Sequence, residues 1–592
     1  MNMSVYLKTI RKNKPNSNKM RSITRTILAI ACMSTTALSG DGAVKKDVNA
    51  KGAVNQPEVY YYRGVKAEKI RTLKCDVAVY GGTPTGVSAA IQAARMGKKV
   101  ILLSFNQHVG GLTSGGLTSS DLGKKESIGG LSLEFYTRLG KKSNFSSSKA
   151  ESVFRKMLDE AGVQVLLVRP LEAAEMKDKR ITSIRLMTGE TLQAGVFVDA
   201  TYEGDLLAAA NVSYYVGREP ASAYGESLGG QWQKISWQHT YQFCDLPLDP
   251  YRIPGKPESG LLPEISSEQP GKPGEGDYKV QAYNFRMQLT NKAGKIPFPK
   301  PRGYAPDRYS LLARFLNLDP PVRWVLNYTV KPMTDGPVQM KNGDCNNAGS
   351  FSSDYVGGNY CWPDGTYKPG SFTKLPPPRR GLQIPLSELY TSRERIFQDH
   401  VTYQQGLIYF LANDQRVPDE LQKRVRKFGL DPKAFPKTGH WPHQLYVREG
   451  RRMVSAYVMT QANCQSTTTV RDSVGLASYH MDSHFCQRVV VERDGMKTVR
   501  NEGGFGKGCP KPFPIAYRSI VPKKEECQNL IVPGCLSASH VAYGSIRMEP
   551  VFMILGQSAG TAAAIAIDHK SAVQDVPYEQ LQARLVKDGQ KL

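Results

Sequence analysis

The feature that most constrains the fold is a glycine-rich turn between two apolar runs. Residues 75–104 read CDVAVYGGTPTGVSAAIQAARMGKKVILLS, with the apolar runs at 77–80 and 100–103. Between them, apolar residues recur at i, i+3, i+4 and i+7 from Val87, the spacing of one helix face. A strand, a glycine turn, a helix and a second strand in this order open a dinucleotide-binding domain. The sequence therefore predicts a nucleotide cofactor.

The residues of this turn have separate physical tasks. Gly81 adopts the backbone angles of a tight turn, and Gly86 lets the helix lie close to the strands. The N–H groups at the helix start can then hold a pyrophosphate. Thr83 stands where the G-x-G-x-x-G pattern has its middle glycine, and Ser104 stands where an acid usually binds the ribose hydroxyls. An ordinary glycine-rich βα turn is the alternative interpretation.

The N-terminus has the composition of an export signal. Seven of the 25 net positive charges fall in the first 39 residues, which contain no acid. An apolar stretch at 26–33 and small residues follow, which predicts a signal peptide over 1–39 and a secreted or periplasmic protein. Cys32 leaves a lipoprotein anchor as an alternative to cleavage.

Composition excludes several other classes. The remaining basic residues are interspersed with acids, and no basic helix with interleaved aromatics occurs, so we expect no nucleic-acid partner. No run of 18 apolar residues follows the N-terminus, so we expect no stable membrane span. The ten cysteines include no C-x-x-C pair, so we expect no iron–sulfur or zinc centre and no metal. A positive surface permits an acidic glycan as substrate.

Further elements are predicted along the chain from apolar periodicity and turn signals. We expect helices at 131–139, 151–161, 382–411, 419–428 and 549–567, a third parallel strand at 163–168, a hairpin of 181–187 with 191–198, and a strand at 530–532.

Five segments together resemble the FAD-dependent oxidoreductase family. The family is related to the flavoprotein part of heterodisulfide reductase, and some relatives are labelled xanthan lyase. The resemblance covers roughly residues 73–570 and implies FAD as the cofactor. Its segments are the GG-x-x-x-G turn at 81–86, GGLTSGGL at 110–117, DATYEGDLLAAA at 199–210, WPHQLYVREGRRM at 441–453 and CLSASHVAYGSIRMEPVFMILGQSAGTAAA at 535–564.

The resemblance implies an α/β fold. It consists of a Rossmann-type, glutathione-reductase-like FAD-binding domain with an inserted α+β substrate domain. The expected boundaries are 1–39 for the signal peptide, 40–72 for a linker, 73–215 and 500–570 for the two parts of the FAD-binding domain, 216–499 for the inserted domain and 571–592 for a C-terminal tail.

The resemblance also implies the residues that face the cofactor. They come from the first turn, the end of the second strand, the second glycine segment, the DATYEGD segment and the start of the last helix. They are Gly81, Gly82, Thr83, Pro84, Gly86, Ser104, Gly110, Gly111, Leu112, Thr113, Ser114, Asp199, Ala200, Thr201, Gly534 and Met548.

Three residues are the candidates for chemistry. His540, expected in a loop before the last helix, is the first candidate for a base, because histidine titrates near neutral pH. Arg547 is expected to fix an anionic flavin or substrate. His443 lies in a stretch that either presents a sugar-binding surface or begins a helix whose charges pair internally. His108 is either a flavin contact or an ordinary loop histidine.

The function expected from these observations is hydride transfer from a small polar or carbohydrate substrate to FAD. The electron acceptor is oxygen, a quinone or a protein. Two alternatives stay open: a flavin-containing carbohydrate lyase or isomerase, and a noncatalytic glycan-binding protein with the same fold.

Overall fold

The computed structural model describes residues 59–67, 70–117, 119–140, 145–232, 246–318 and 353–592. The expected signal peptide at 1–39 lies outside these residues. The helices are α1 Pro84–Arg95, α2 Gly111–Ser114, α3 Gly130–Arg138, α4 Ser147–Glu160, α5 Asp205–Ala209, α6 Ala221–Tyr224, α7 Ser310–Leu316, α8 Leu386–Asn413, α9 Asp419–Arg426, α10 Gln461–Cys464, α11 His540–Ile546, α12 Glu549–Asp568 and α13 Tyr578–Lys587.

The strands include many short pairs outside the main sheet. They are β1 Arg71–Tyr80, β2 Val100–Leu103, β3 Gln164–Leu166, β4 Leu171–Lys177, β5 Arg180–Leu186, β6 Glu190–Asp199, β7 Ser213–Tyr215, β8 Gly276–Asp277, β9 Leu289–Thr290, β10 Ser371–Phe372, β11 Arg379–Arg380, β12 Gly429–Leu430, β13 Arg452–Met453, β14 Ser473–Ala477, β15 Met481–Ser483, β16 Gln487–Arg493, β17 Met496–Glu502, β18 Phe505–Lys507, β19 Phe513–Ala516 and β20 Leu530–Ile531.

The main sheet confirms the predicted βαβ unit. Its order is β3-β2-β1-β6-β5-β4, and the β3, β2, β1 and β6 neighbours are parallel. The apolar run of β1 is fully buried where it pairs with β2. The parallel strands end at one edge of the sheet, where doubly wound folds bind nucleotides.

The far edge of β6 is shared by two strands. β5 pairs antiparallel with its first half, as the predicted hairpin requires. β20 pairs parallel with Phe197 and Val198 at its end. The C-terminal part of the chain therefore completes the sheet at the edge where the first glycine turn lies.

Helices α1 and α12 pack with close backbone contact. A Cβ on Gly556 would lie 2.2 Å from the Thr85 carbonyl oxygen, and one on Gly560 would lie 2.4 Å from that of Ala89. The small residues of α12 therefore let its backbone lie against that of α1. By length and composition α12 could also cross a membrane, but 94% of its apolar window is buried, as in a core helix.

Three expectations about local structure were wrong or incomplete. Strand β4 was not predicted, because LEAAEMK contains good helix formers and becomes a strand through its pairing with β5. The stretch 441–451 is not a helix. Arg448 and Arg451 pair with the distant Asp354 and Asp205, whereas Glu449 pairs within the stretch's own neighbourhood with Arg452. His540 begins α11 instead of lying in a loop, because the Ser539 hydroxyl caps that helix by accepting from Ala542 N–H.

Candidate flavin site

The first glycine turn is built around contacts that exclude side chains. Gly81 has φ +118°, and a Cβ there would lie 2.6 Å from the carbonyl carbon of Ala200. A Cβ on Gly86 would lie 1.9 Å from the Gly81 oxygen. Thr83, the departure from the glycine pattern, caps α1 by accepting from Gly86 N–H and donates to the Ala200 carbonyl at 2.6 Å. Pro84 is the first residue of α1, where it loses no helical hydrogen bond.

The second glycine segment lies directly on the first. Gly110 N–H donates to the Gly82 carbonyl at 2.6 Å. Gly110 and Gly111 have φ +94° and +46°, in the left-handed region that favours glycine. A Cβ on Gly111 would lie 2.3 Å from the Tyr202 hydroxyl. The two segments therefore form one glycine-lined edge at the ends of β1 and β2.

The DATYEGD segment and the C-terminal segment meet the same edge. Ala200 N–H donates to the Tyr80 carbonyl, so β6 delivers this segment beside Gly81. A Cβ on Gly534 would lie 2.8 Å from the Thr201 oxygen. Cys535, which departs from the usual Gly-Asp, places its sulfur 3.5 Å from that same oxygen.

Several side chains that were expected to face the cofactor make hydrogen bonds within the protein instead. Asp199 accepts from Thr201 and from Leu207 N–H, so its carboxylate holds the turn into α5. Burial raises its pKa to about 6. The Ser104 hydroxyl lies 3.0 Å from the His108 carbonyl, and Ser114 donates to the Val109 carbonyl at 2.6 Å. These side chains therefore stabilise the glycine-lined edge through hydrogen bonds within the protein.

The start of α12 reaches the second glycine segment through Glu549. This buried carboxyl accepts from the Thr113 N–H and hydroxyl and from the Tyr202 hydroxyl. Tyr202 in turn accepts from Leu112 N–H. Burial raises the Glu549 pKa to about 7, so a large fraction of this carboxyl is protonated near neutral pH. Met548 precedes it as the N-cap of α12.

His540 forms a chain of three polar groups. Its Nδ1 lies 2.7 Å from Glu449 Oε2, and its Nε2 lies 3.2 Å from Ser483 Oγ. Burial alone would raise the Glu449 pKa, but its contact with His540 and the neighbouring Arg452 charge outweigh burial and lower that pKa to about 2. An ionised Glu449 only accepts, so Nδ1 carries the proton and Nε2 is the basic nitrogen.

Arg547 joins the same buried network. It donates to Asp482 Oδ2 at 3.0 Å and to the Tyr446 hydroxyl at 2.8 Å. Gln281 connects the two parts, because it donates to Glu449 at 3.0 Å and accepts from Arg547 at 3.3 Å. His540 and Arg547, predicted independently, therefore belong to one cluster.

His443 lies in a different place. Its ring stacks on that of His108 at 3.5 Å and 8°, and it lines two adjoining cavities. Within the described residues, neither of its ring nitrogens has a hydrogen-bond partner. Burial and the neighbouring His108 charge lower its pKa to about 3. His443 is therefore a neutral, weak base at physiological pH.

Sequence reasoning did not single out three members of these networks. Tyr202 stands in the DATYEGD segment without a pattern that marks it, and Gln281 and Ser483 lie outside the five segments that carry the resemblance. Their roles follow from long-range contacts alone. Among the residues that the structure describes, no group of three or more His, Cys, Asp or Glu side chains is placed to hold a metal ion.

The residues of the glycine-lined edge fit FAD. Four segments converge there, their glycines pack too closely against one another and against neighbouring residues to admit a Cβ, and the first turn ends at the N-terminus of a 12-residue helix, whose free N–H groups suit a pyrophosphate. The Rossmann-like sheet and this edge define a flavin-dependent oxidoreductase. A model of the family described as FAD dependent oxidoreductase matches residues 76–585, and the chain belongs to that family.

Similarity to solved structures is partial. L-proline dehydrogenase from P. horikoshii is 17% identical, with 27% of this chain and 28% of that chain aligned and a TM-score of 0.17. THI4 from Thermovibrio ammonificans is 19% identical, with 26% of this chain and 71% of that chain aligned and a TM-score of 0.21. NikD, an amino acid oxidase of nikkomycin biosynthesis, is 16% identical, with 25% of this chain and 57% of that chain aligned and a TM-score of 0.19. No curated protein matches the chain.

Proposed function

We propose that this protein oxidises a small polar substrate by hydride transfer to FAD, with His540 as the base. The observation that carries the proposal is the Glu449–His540–Ser483 chain, which presents a basic Nε2 inside the protein. When bound, FAD supplies a two-electron acceptor. The protein must then take the proton that leaves the substrate.

His540 is oriented for that proton. Glu449 fixes the tautomer and stabilises the imidazolium that forms when Nε2 takes a proton. The Ser483 hydroxyl, 3.2 Å from Nε2, offers a path for the proton from the substrate. Arg547, held by Asp482 and Tyr446, is proposed to orient an anionic group beside this base.

We also propose that 216–499 form the substrate side of the enzyme and that the protein is exported. Gln281, Tyr446, Glu449 and Asp482 all come from this stretch, and they hold the two candidate catalytic residues. The basic and apolar N-terminus supports export. A carbohydrate remains one candidate within the class of polar substrates.

Anaerobic mixing with a panel of small alcohols, amines and sugars tests the function. We expect one class to bleach the yellow protein, and His540→Gln to slow bleaching on the order of 10²-fold. His569→Gln, at an exposed histidine on the end of α12, is the matched control. Product formation with persistent colour would support the lyase or isomerase alternative instead.

A further inference from the structure

Ser104 does not occupy the role that an acid usually has at the end of the second strand. Its hydroxyl lies 3.0 Å from the His108 carbonyl and 3.2 Å from Asn106 Oδ1, and the residue is 1% exposed. The hydroxyl is thus committed to the loop that follows β2. The adenosine half of a bound FAD must find its partners elsewhere.

A segment before the sheet lies against the same loop. Residues 59–63, called here the strap, precede the family match at 76–585. The strap is anchored on α8, because Gln398 Nε2 donates to the Val59 carbonyl and Glu394 accepts from Tyr62 N–H, both at 2.7 Å. These anchors fix the strap beside the carboxyl end of β2.

The aromatic ring of Tyr61 reinforces this position. The residue is 2% exposed, and its ring centroid lies 4.9 Å from that of Phe105 and 4.8 Å from that of Trp362. Its hydroxyl donates to Glu203. Tyr60 and Arg63 flank it, with the Arg63 guanidinium 4.7 Å above the Tyr60 ring.

The strap forms one wall of a cavity at the nucleotide edge. A cavity of about 70 Å³ lies between Tyr60, Tyr61 and Arg63 on one side and Phe105 and His108 on the other. It adjoins a cavity of about 990 Å³, and both are lined by the stacked His108 and His443. Flat rings and one guanidinium suit a purine, and Glu151, which lines the larger cavity and is held by His108 and Arg155, places a carboxylate within reach of the hydroxyls of its ribose.

We propose that the strap, the His108–His443 stack and Glu151 hold the adenosine half of FAD and replace the missing acid at position 104. The proposal rests on the FAD assignment and is independent of the substrate reaction. It assigns a cofactor role to the strap, which precedes the residues that the family model matches. It also explains why His443, whose ring nitrogens have no hydrogen-bond partner among the described residues, lies beside a cavity instead of in the His540 cluster.

The test compares FAD with FMN, which lacks the adenosine. Dissociation constants are measured by flavin fluorescence on dilution of the full-length holoprotein, and after exchange into FMN. We expect Arg63→Ala, Tyr60→Ala and Glu151→Gln each to weaken FAD binding on the order of tenfold and to leave FMN binding within twofold. Arg71→Ala, at a half-exposed arginine paired with Glu190 at the start of β6, is the matched control.

Three results would overturn the inference. Unchanged FAD binding in all three variants would show that the cavity does not hold the adenosine. An equal loss of FAD and FMN binding would show that the strap acts through folding. A raised substrate KM with unchanged FAD binding would make the cavity a substrate site. A wild-type protein that binds no flavin would instead contradict the FAD assignment itself.

Discussion

Glu449 Oε2 lies 2.7 Å from His540 Nδ1, although the two residues are 91 positions apart. The contact joins the WPHQLYVREGRRM stretch to the first residue of α11. The same carboxylate also pairs with Arg452, whose guanidinium reaches Glu219. Glu219 in turn accepts from His540 N–H at 3.0 Å. His540 is therefore held at both its ring and its backbone.

Replacing Glu449 tests whether this contact serves chemistry. In Glu449→Gln the amide no longer fixes the His540 tautomer or stabilises an imidazolium. We expect flavin reduction by substrate to slow on the order of 10²-fold, with FAD content retained. Stopped-flow absorbance of the holoprotein measures the rate. A reduction rate equal to that of wild type would contradict a role for the pair in proton transfer.

The raised pKa of Glu549 predicts a pH dependence of stability. Its folded pKa is about 7 against an ordinary 4.5. The contribution is fully present below pH 4.5, where both states are protonated, and is lost as pH rises through 7. Glu549→Gln keeps a neutral group, so its unfolding free energy should gain up to about 3 kcal/mol relative to wild type between pH 5 and pH 8.

Urea unfolding of the holoprotein at both pH values measures this difference. Glu579→Gln, at an exposed acid in the first turn of α13, is the control and should change nothing. If the Glu549 variant had the same pH dependence as wild type, the buried proton on Glu549 would be excluded.

The Arg393–Asp205 ion pair predicts a large loss of stability. Arg393 makes two bonds to Asp205, at 2.7 and 2.9 Å, and both side chains are buried. Arg393→Met leaves the carboxylate with Arg451 alone, which should cost about 3–5 kcal/mol. Arg424→Met removes an exposed helix pair with Glu420 and should cost less than about 1 kcal/mol. Equal midpoints in urea for the two variants would be inconsistent with this structure.

The contact between α1 and α12 predicts a link from packing to cofactor binding. Gly556→Ala and Gly560→Ala both force the helices apart and should each cost about 1–3 kcal/mol. Gly556 contacts Thr85, in the first turn of α1, whereas Gly560 contacts Ala89 further along, so the Gly556 variant should release FAD more readily. Gly508→Ala, where a Cβ meets nothing, is the control. Equal FAD affinity in the two helix variants would contradict a link between the packing at Gly556 and FAD binding.

Local patterns predicted the secondary structure around the glycine turn better than the long-range contacts of the candidate catalytic residues. The glycine turn, β2 at 100–103 and α12 each follow from short-range periodicity, and the structure bears them out. Strand β4 depends on its partner β5 and could not be recognised from LEAAEMK. The bonds of His540 connect it to Glu219, Glu449 and Ser483, and no spacing rule reports contacts over such distances.

The departures from the usual FAD-binding pattern at positions 83, 104 and 535 also could not be interpreted from local patterns alone. Thr83 replaces a glycine and serves as a helix cap, a role that its residue type allows but that depends on where the helix begins. The Ser104 hydroxyl is already hydrogen-bonded to the His108 carbonyl in the loop that follows it. The compensating residues of the strap lie some 40 positions upstream, where the sequence carries no nucleotide-binding pattern.

The FAD content of the purified full-length chain tests the central claim most directly. The visible spectrum and the flavin released on denaturation should show FAD in an equimolar amount. Gly82→Val should contain little, because a Cβ there lies 2.8 Å from Ser104 Oγ and 3.1 Å from the His108 carbonyl, while circular dichroism stays near wild type. A wild-type chain without flavin, even after FAD is added, would contradict the assignment of this edge to FAD.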